Sequence, residues 1–168
     1  MSELEETIEQ TESQSEYIQQ LVDKLVDKCC DKLDDYISYV ADKLNSPDYV
    51  LSDKELDDII LTIPIQLYFV GSQQEKLGVK RDVSETNRKL LFNEMYTKAV
   101  GAAGVRKSEA EQNLFYEDMT IVVYNRAYET IKSKVEFATE ILQSSKKIVS
   151  RRMAELELSR VSPNRTQG

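Results

Sequence analysis

An uninterrupted heptad pattern in the C-terminal third constrains this chain most. After Gly104 no glycine or proline occurs until Pro163. Within that stretch Ile121, Tyr124, Tyr128, Ile131, Val135, Ala138, Leu142, Ser145, Val149, Arg152 and Leu156 recur at spacings of three and four. Nine of these eleven positions are apolar or aromatic, a seam that a long α-helix presents on one side. Ala127, Ile141 and Ile148 widen the stripe beyond a two-stranded zipper. With Ser108-Glu109-Ala110-Glu111 read as a capping box, the pattern predicts a helix over 108–158, on the order of 75 Å long. The expected fold is therefore all-α: a helical bundle or hairpin with one long C-terminal amphipathic helix. Three shorter helices cannot cover such a seam. Self-association through Tyr128, Ile131, Val135, Leu142, Val149 and Leu156 is the expected use of the surplus; the competing reading is a monomeric bundle with a projecting helix.

The rest of the chain reads as helices joined by turns. Residues 1–13 are acidic and polar, the composition of a disordered tail. An acidic helix is expected over 14–45, with Ile18, Val22, Leu25, Cys29, Leu33, Tyr36, Val40 and Leu44 on its apolar face and alternating Asp and Lys opposite. Pro47 ends it. A helical core is expected over 52–158, opening on the capping box Ser52-Asp53-Lys54-Glu55. Leu56, Ile59, Ile60, Ile63 and Leu67 form one face of the next helix, kinked or divided at Pro64 and ended by Gly71. The β-branched content of 59–70 also suits a strand, but no partner strand is legible nearby. A short turn at 73–78, a third helix from Val83 or Ser84 to Val100 and a hairpin tip at 101–104 follow. Residues 159–168 read as a second disordered tail.

Catalytic signatures are sparse. The chain has no His, which removes the usual general base and the commonest zinc ligand. No phosphate loop, dinucleotide motif or calcium loop is present. Cys29 and Cys30 are adjacent, a spacing that strains a disulfide within the pair. They read as reduced thiols with Cys29 packed inward, the alternative being a redox or soft-metal pair. Asp34-Asp35, Asp57-Asp58 and Glu117-Asp118 are paired carboxylates that suit magnesium, yet each falls on a helix surface where acids are ordinary. A non-enzymatic protein without cofactor or metal is expected. The most apolar run, 59–70, is too short to span a membrane, and the acidic N-terminus is not a secretory signal.

Charge is distributed unevenly. The net charge of −8 combines −12 on residues 1–58 with +4 on 59–168. Lys146, Lys147, Arg151 and Arg152 make a cationic end to the long helix, and Arg126 and Lys132 precede them. Such a cluster suits a polyanion, although cations also favour a helix C-terminus through its dipole. Tyr116, Tyr124 and Tyr128 are candidates for stacking on unpaired bases; Tyr124 and Tyr128 lie in the seam, which points to core packing instead.

One arrangement of residues resembles a known family. A helix ends in Tyr96-Thr97-Lys98-Ala99-Val100-Gly101, a small glycine-containing hairpin follows, and the long helix then carries Ile131-Lys132-Ser133 and the basic end through Glu157. Over roughly Leu56 to Glu157 this is similar to the UvsY family of phage recombination mediators. The resemblance implies a non-catalytic, ring-forming homo-oligomer in the host cytoplasm. It would bind single-stranded DNA, act on a single-strand binding protein and load a RecA-type recombinase. The chain departs from the family where a Lys-x-Arg pair precedes the hairpin. Here the residues are Asn93-Glu94-Met95; either Arg88 and Lys89, more than one turn earlier, stand in for that pair or direct DNA binding is weakened. The nucleic-acid candidates are thus Arg88, Lys89, Arg126, Lys132, Lys146, Lys147, Arg151 and Arg152. Two other classes stay open: a helical scaffold, chaperone or adaptor of a phage particle acting through protein contacts, and an acidic inhibitor that mimics DNA through residues 1–44.

Overall fold

The computed structural model describes residues 2–46 and 49–161. Four helices, α1 (Glu3–Leu44), α2 (Asp53–Lys98), α3 (Ala103–Gln112) and α4 (Phe115–Val161), account for 92% of them, and no strand is present among them. The chain divides into two compact units. The first combines residues 1–30 and 71–132, and the second combines 31–70 and 133–168.

In the second unit, segments of α1, α2 and α4 share a core of Leu33, Val40, Leu56, Ile59, Ile63, Val70, Ala138 and Leu142, with Ser145 buried beside them. The Ser145 hydroxyl donates to the Ile141 carbonyl at 2.9 Å, so its burial leaves no unmet donor. The α1–α2 pairing is antiparallel: Tyr36 Oη donates to Asp58 at 2.8 Å, and Lys43 Nζ donates to Glu55 at 2.6 Å. Lys134 of α4 reaches both carboxylate oxygens of Asp34 at 2.8 Å. In the first unit the core holds Val22, Val26, Cys30, Leu77, Ala110, Leu114, Val123, Ala127 and Ile131. There α2 and α4 also run antiparallel. The Arg81 guanidinium lies 4.9 Å from the Tyr128 ring centre, and Arg88 pairs with Asp118.

Several elements differ from the sequence expectation, each for a local reason. The helix over 14–45 begins at Glu3, so residues 3–13 are helical rather than disordered. Ser2 and Glu5 form a capping box, with Ser2 N to Glu5 Oε2 at 2.6 Å and Glu5 N to Ser2 Oγ at 3.3 Å. Glu3, Glu5 and Glu6 also place negative charge at the positive end of the helix dipole. The division at Pro64, the stop at Gly71 and the separate helix from Val83 give way to one helix of 46 residues. A proline inside a helix costs about 3 kcal/mol. Leu56, Ile59, Ile63 and Val70 are at most 2% exposed, and burial of side chains of this size contributes about 1.5–3 kcal/mol each, which outweighs that cost. The expected long helix is split in two: Ser108 lies inside α3, whose N-cap is Ala102, and α4 starts at Phe115. Asn113 closes α3 and turns its side-chain amide back onto the Glu109 carbonyl at 2.8 Å, a competitor for the helical pattern. Leu114, fully buried, follows at the break. Gly101 takes a positive φ of 126° in the preceding turn, a conformation glycine adopts without strain. The cysteine register is shifted by one: Cys30 is fully buried behind Val26, and Cys29 is half-buried. Burial raises the Cys29 thiol pKa despite the opposing charges of Lys28 and Lys80. The tail expected over 159–168 is helical to Val161, and its remainder lies outside the described residues.

Glu55 organises the connection into α2. Its carboxylate accepts hydrogen bonds from Lys43 Nζ, the Tyr49 hydroxyl and both Ser52 Oγ (2.7 Å) and Ser52 N (2.9 Å). Lys43 first, then Tyr49 and Ser52, hold this carboxyl far below the usual range. A depressed folded-state pKa contributes stability above the unfolded value of about 4.3, and that stability is lost as pH falls below it. Thermal melting followed by circular dichroism is expected to show a fall in midpoint from pH 5 to pH 2 that is shallower in Glu55→Gln. Equal acid sensitivity of the two proteins would exclude this contribution.

Candidate nucleic-acid interface

The eight cationic candidates separate into two half-buried arginines tied to distant residues and six exposed side chains. Arg88, half-buried on α2, grips Asp118 with Nε and Nη2, the second contact at 3.2 Å. That pairing raises its pKa further. Arg152, on the buried side of α4, donates through Nη1 to Asp53 at 2.6 Å and through Nη2 to the Leu51 carbonyl. Each guanidinium spends two of its five N–H donors within the chain, and its charge is already met by a carboxylate. Arg88 and Arg152 are therefore structural ties within their units.

The other six face solvent. In the first unit these are Lys89 on α2 and Arg126 and Lys132 on α4. Arg126 and Lys132 are six residues apart, which turns them about 120° from each other around the helix, so they do not form one stripe. In the second unit Lys146, Lys147 and Arg151 are exposed within two turns of α4. Lys147 and Arg151 are four apart and share a face. Arg151 Nε also meets Glu155 at 2.9 Å, with both side chains more than half exposed. An exposed pair of this kind contributes little and exchanges readily for another anion. The structure thus concentrates the solvent-facing candidates of the second unit at Lys146, Lys147 and Arg151.

Five of the six seam residues expected to drive self-association are buried or half-buried in this chain's own packing. Ile131 and Leu142 are buried, and Tyr128, Val135 and Val149 are half-buried. Leu156 is 58% exposed. α1 and α2, at 42 and 46 residues, are nearly as long as α4, where three shorter helices were expected. Tyr128 is occupied by Arg81, which leaves Tyr116, 79% exposed beside Phe115, as the accessible aromatic among the three stacking candidates in the first unit. Each acidic pair considered for magnesium has a member engaged by protein: Asp34 by Lys134, Asp58 by Tyr36, and Asp118 by Arg88. No group of three or more metal-ligating side chains occurs among the described residues, and none of their helices is long and apolar enough to cross a membrane.

Sequence reasoning missed the ties from Arg81, Arg88, Lys134 and Arg152, all between residues distant in sequence. The available signal was position: Arg152 falls within the seam of α4 and Lys134 beside it. Comparison of the chain with protein-family models, curated proteins and solved structures finds no match.

Proposed function

We propose that this chain is a non-catalytic, homo-oligomeric protein of the host-cell cytoplasm that binds single-stranded DNA. In this reading it mediates recombination by helping a RecA-type recombinase replace a single-strand binding protein. The observation that carries the reading is the exposed Lys146, Lys147 and Arg151 at the end of α4. The resemblance of residues 56–157 to UvsY-type mediators supports it. Three cations per subunit give weak binding alone, and an oligomer multiplies them along one strand through effective concentration. The alternative is a helical assembly or adaptor protein acting only through protein contacts. It is favoured by the in-chain pairing of Arg88 with Asp118 and of Arg152 with Asp53.

Fluorescence anisotropy with labelled poly-dT across a salt series separates the two. Three phosphate contacts on a single strand give a slope of about −2 per subunit in log K against log salt. Binding that does not respond to salt, or no binding at low salt, would sink the DNA reading and leave the adaptor.

A further inference from the structure

We infer that the outward face of α2 in the second unit, formed by Leu61, Ile65, Tyr68 and Phe69, is the surface through which two copies of this chain pair. The inference rests on the homo-oligomer part of the reading above and not on its DNA part.

The sequence of α2 is unusual here. Ile59 to Val70 contains no charged residue, in a chain that is 31% charged. One face of this stretch is spent on the core, with Leu56, Ile59, Ile63 and Val70 buried. The opposite face carries Leu61, Ile65 and Tyr68 at spacings of four and three, with Phe69 alongside. They are 67%, 57%, 76% and 60% exposed. Tyr68 and Phe69 meet edge to face at 5.5 Å between ring centres. A helix that is apolar on both sides is stable in water only when both sides are covered.

Area and charge select the occupant. The four side chains expose roughly 400–500 Å², the upper range for a patch on a monomer and more than half of the ~800 Å² each partner contributes to a standard interface. Exposed aromatics with no charge among them match the centre of a protein interface. Asp57 borders the face, and residues 31–58 of the same unit carry −6; both disfavour an anionic membrane or a nucleic acid on this face. A second copy meets the requirement directly. An isologous contact lays the uncharged stripe against itself with no like charges opposed at its centre.

The test is sedimentation velocity of the full chain from about 1 to 100 μM, the range over which modest dimers dissociate. The wild type is expected to gain mass with concentration. Leu61→Glu/Tyr68→Glu is expected to weaken association roughly 100-fold or more, as for paired interface anchors. Circular dichroism of that variant should match the wild type, because neither side chain is in the core. Tyr68→Arg alone, a milder change in the same stripe, should shift the same equilibrium and guards against misfolding of the double variant. A double variant that keeps the wild-type mass overturns this surface while leaving the oligomer standing. A wild type that stays monomeric throughout overturns the pairing itself, whatever the DNA measurement gives. Tyr68-dependent sedimentation with phosphatidylglycerol vesicles also overturns it, in favour of a lipid occupant.

Discussion

Ile131→Ala is expected to lower the unfolding free energy by about 2–5 kcal/mol, equally at every protein concentration. Ile131 is fully buried in the first unit, where removal of its outer carbons leaves a void that neighbouring helices only partly close. Against a typical total of about 5–15 kcal/mol that is a large fraction. Ile131→Asp should abolish the cooperative transition, since it places a carboxylate at a fully buried position. Concentration dependence separates this from the seam reading. A residue between subunits loses stability through dissociation, so the cost shrinks as concentration rises. Urea titrations followed by circular dichroism at two concentrations decide the matter. An Ile131→Ala protein that unfolds like the wild type but sediments as a smaller species would return Ile131 to an interface.

Lys146→Glu/Lys147→Glu/Arg151→Glu should weaken poly-dT binding roughly 100-fold or more at about 0.1 M salt, and should flatten the salt dependence. Each reversal removes a phosphate contact and adds a repulsion. Arg152 is left out of this set because of its contacts. Arg152→Glu would set a carboxylate against Asp53 and strip a donor from the Leu51 carbonyl, so lost binding there would be confounded with a damaged second unit. The triple variant touches only exposed side chains, and its melting midpoint should stay close to that of the wild type. Undiminished binding by a folded triple variant would remove this end of α4 from the DNA reading.

The parts of the fold legible in sequence were those set by periodicity. The α4 stripe around Ile131, Ala138, Leu142 and Ser145 faces inward as its spacing predicts, and the Ser52–Glu55 capping box stands where its motif lies. Where the fold departs from the sequence pattern, tertiary burial outweighs a local signal. Pro64 and Gly71 both disfavour a helix, yet the helix continues through them because Ile63 and Val70 are needed in the core. Asn113 carries no strong breaker signal, and still α3 ends there. On α1 the buried row runs through Val26 and Cys30 instead of Leu25 and Cys29 and rejoins the expected row at Leu33 and Val40, because steps of three and of four lie on the same helix face and both choices fit the spacing. The candidate site was legible as a set of cations but not as a set of free cations. Which of Lys146, Lys147, Arg151 and Arg152 meets an acid depends on contacts such as Arg152 with Asp53, 99 residues apart.

That separation orders events on the ribosome. In the second unit the Lys43–Glu55 tie closes over 12 residues, whereas Lys134–Asp34 and Arg152–Asp53 close over 100 and 99. At about 5–20 residues per second of synthesis, the α1–α2 hairpin closed at Glu55 waits roughly 4–16 seconds for Lys134 of its third helix. During that interval Leu56, Ile59, Ile63 and Val70 lack α4, and the outer stripe of α2 is bare as well. A nascent chain with both sides of one helix uncovered is a ready client for chaperones. It is also open to a neighbouring chain on the same messenger, so pairing can begin before either copy is complete.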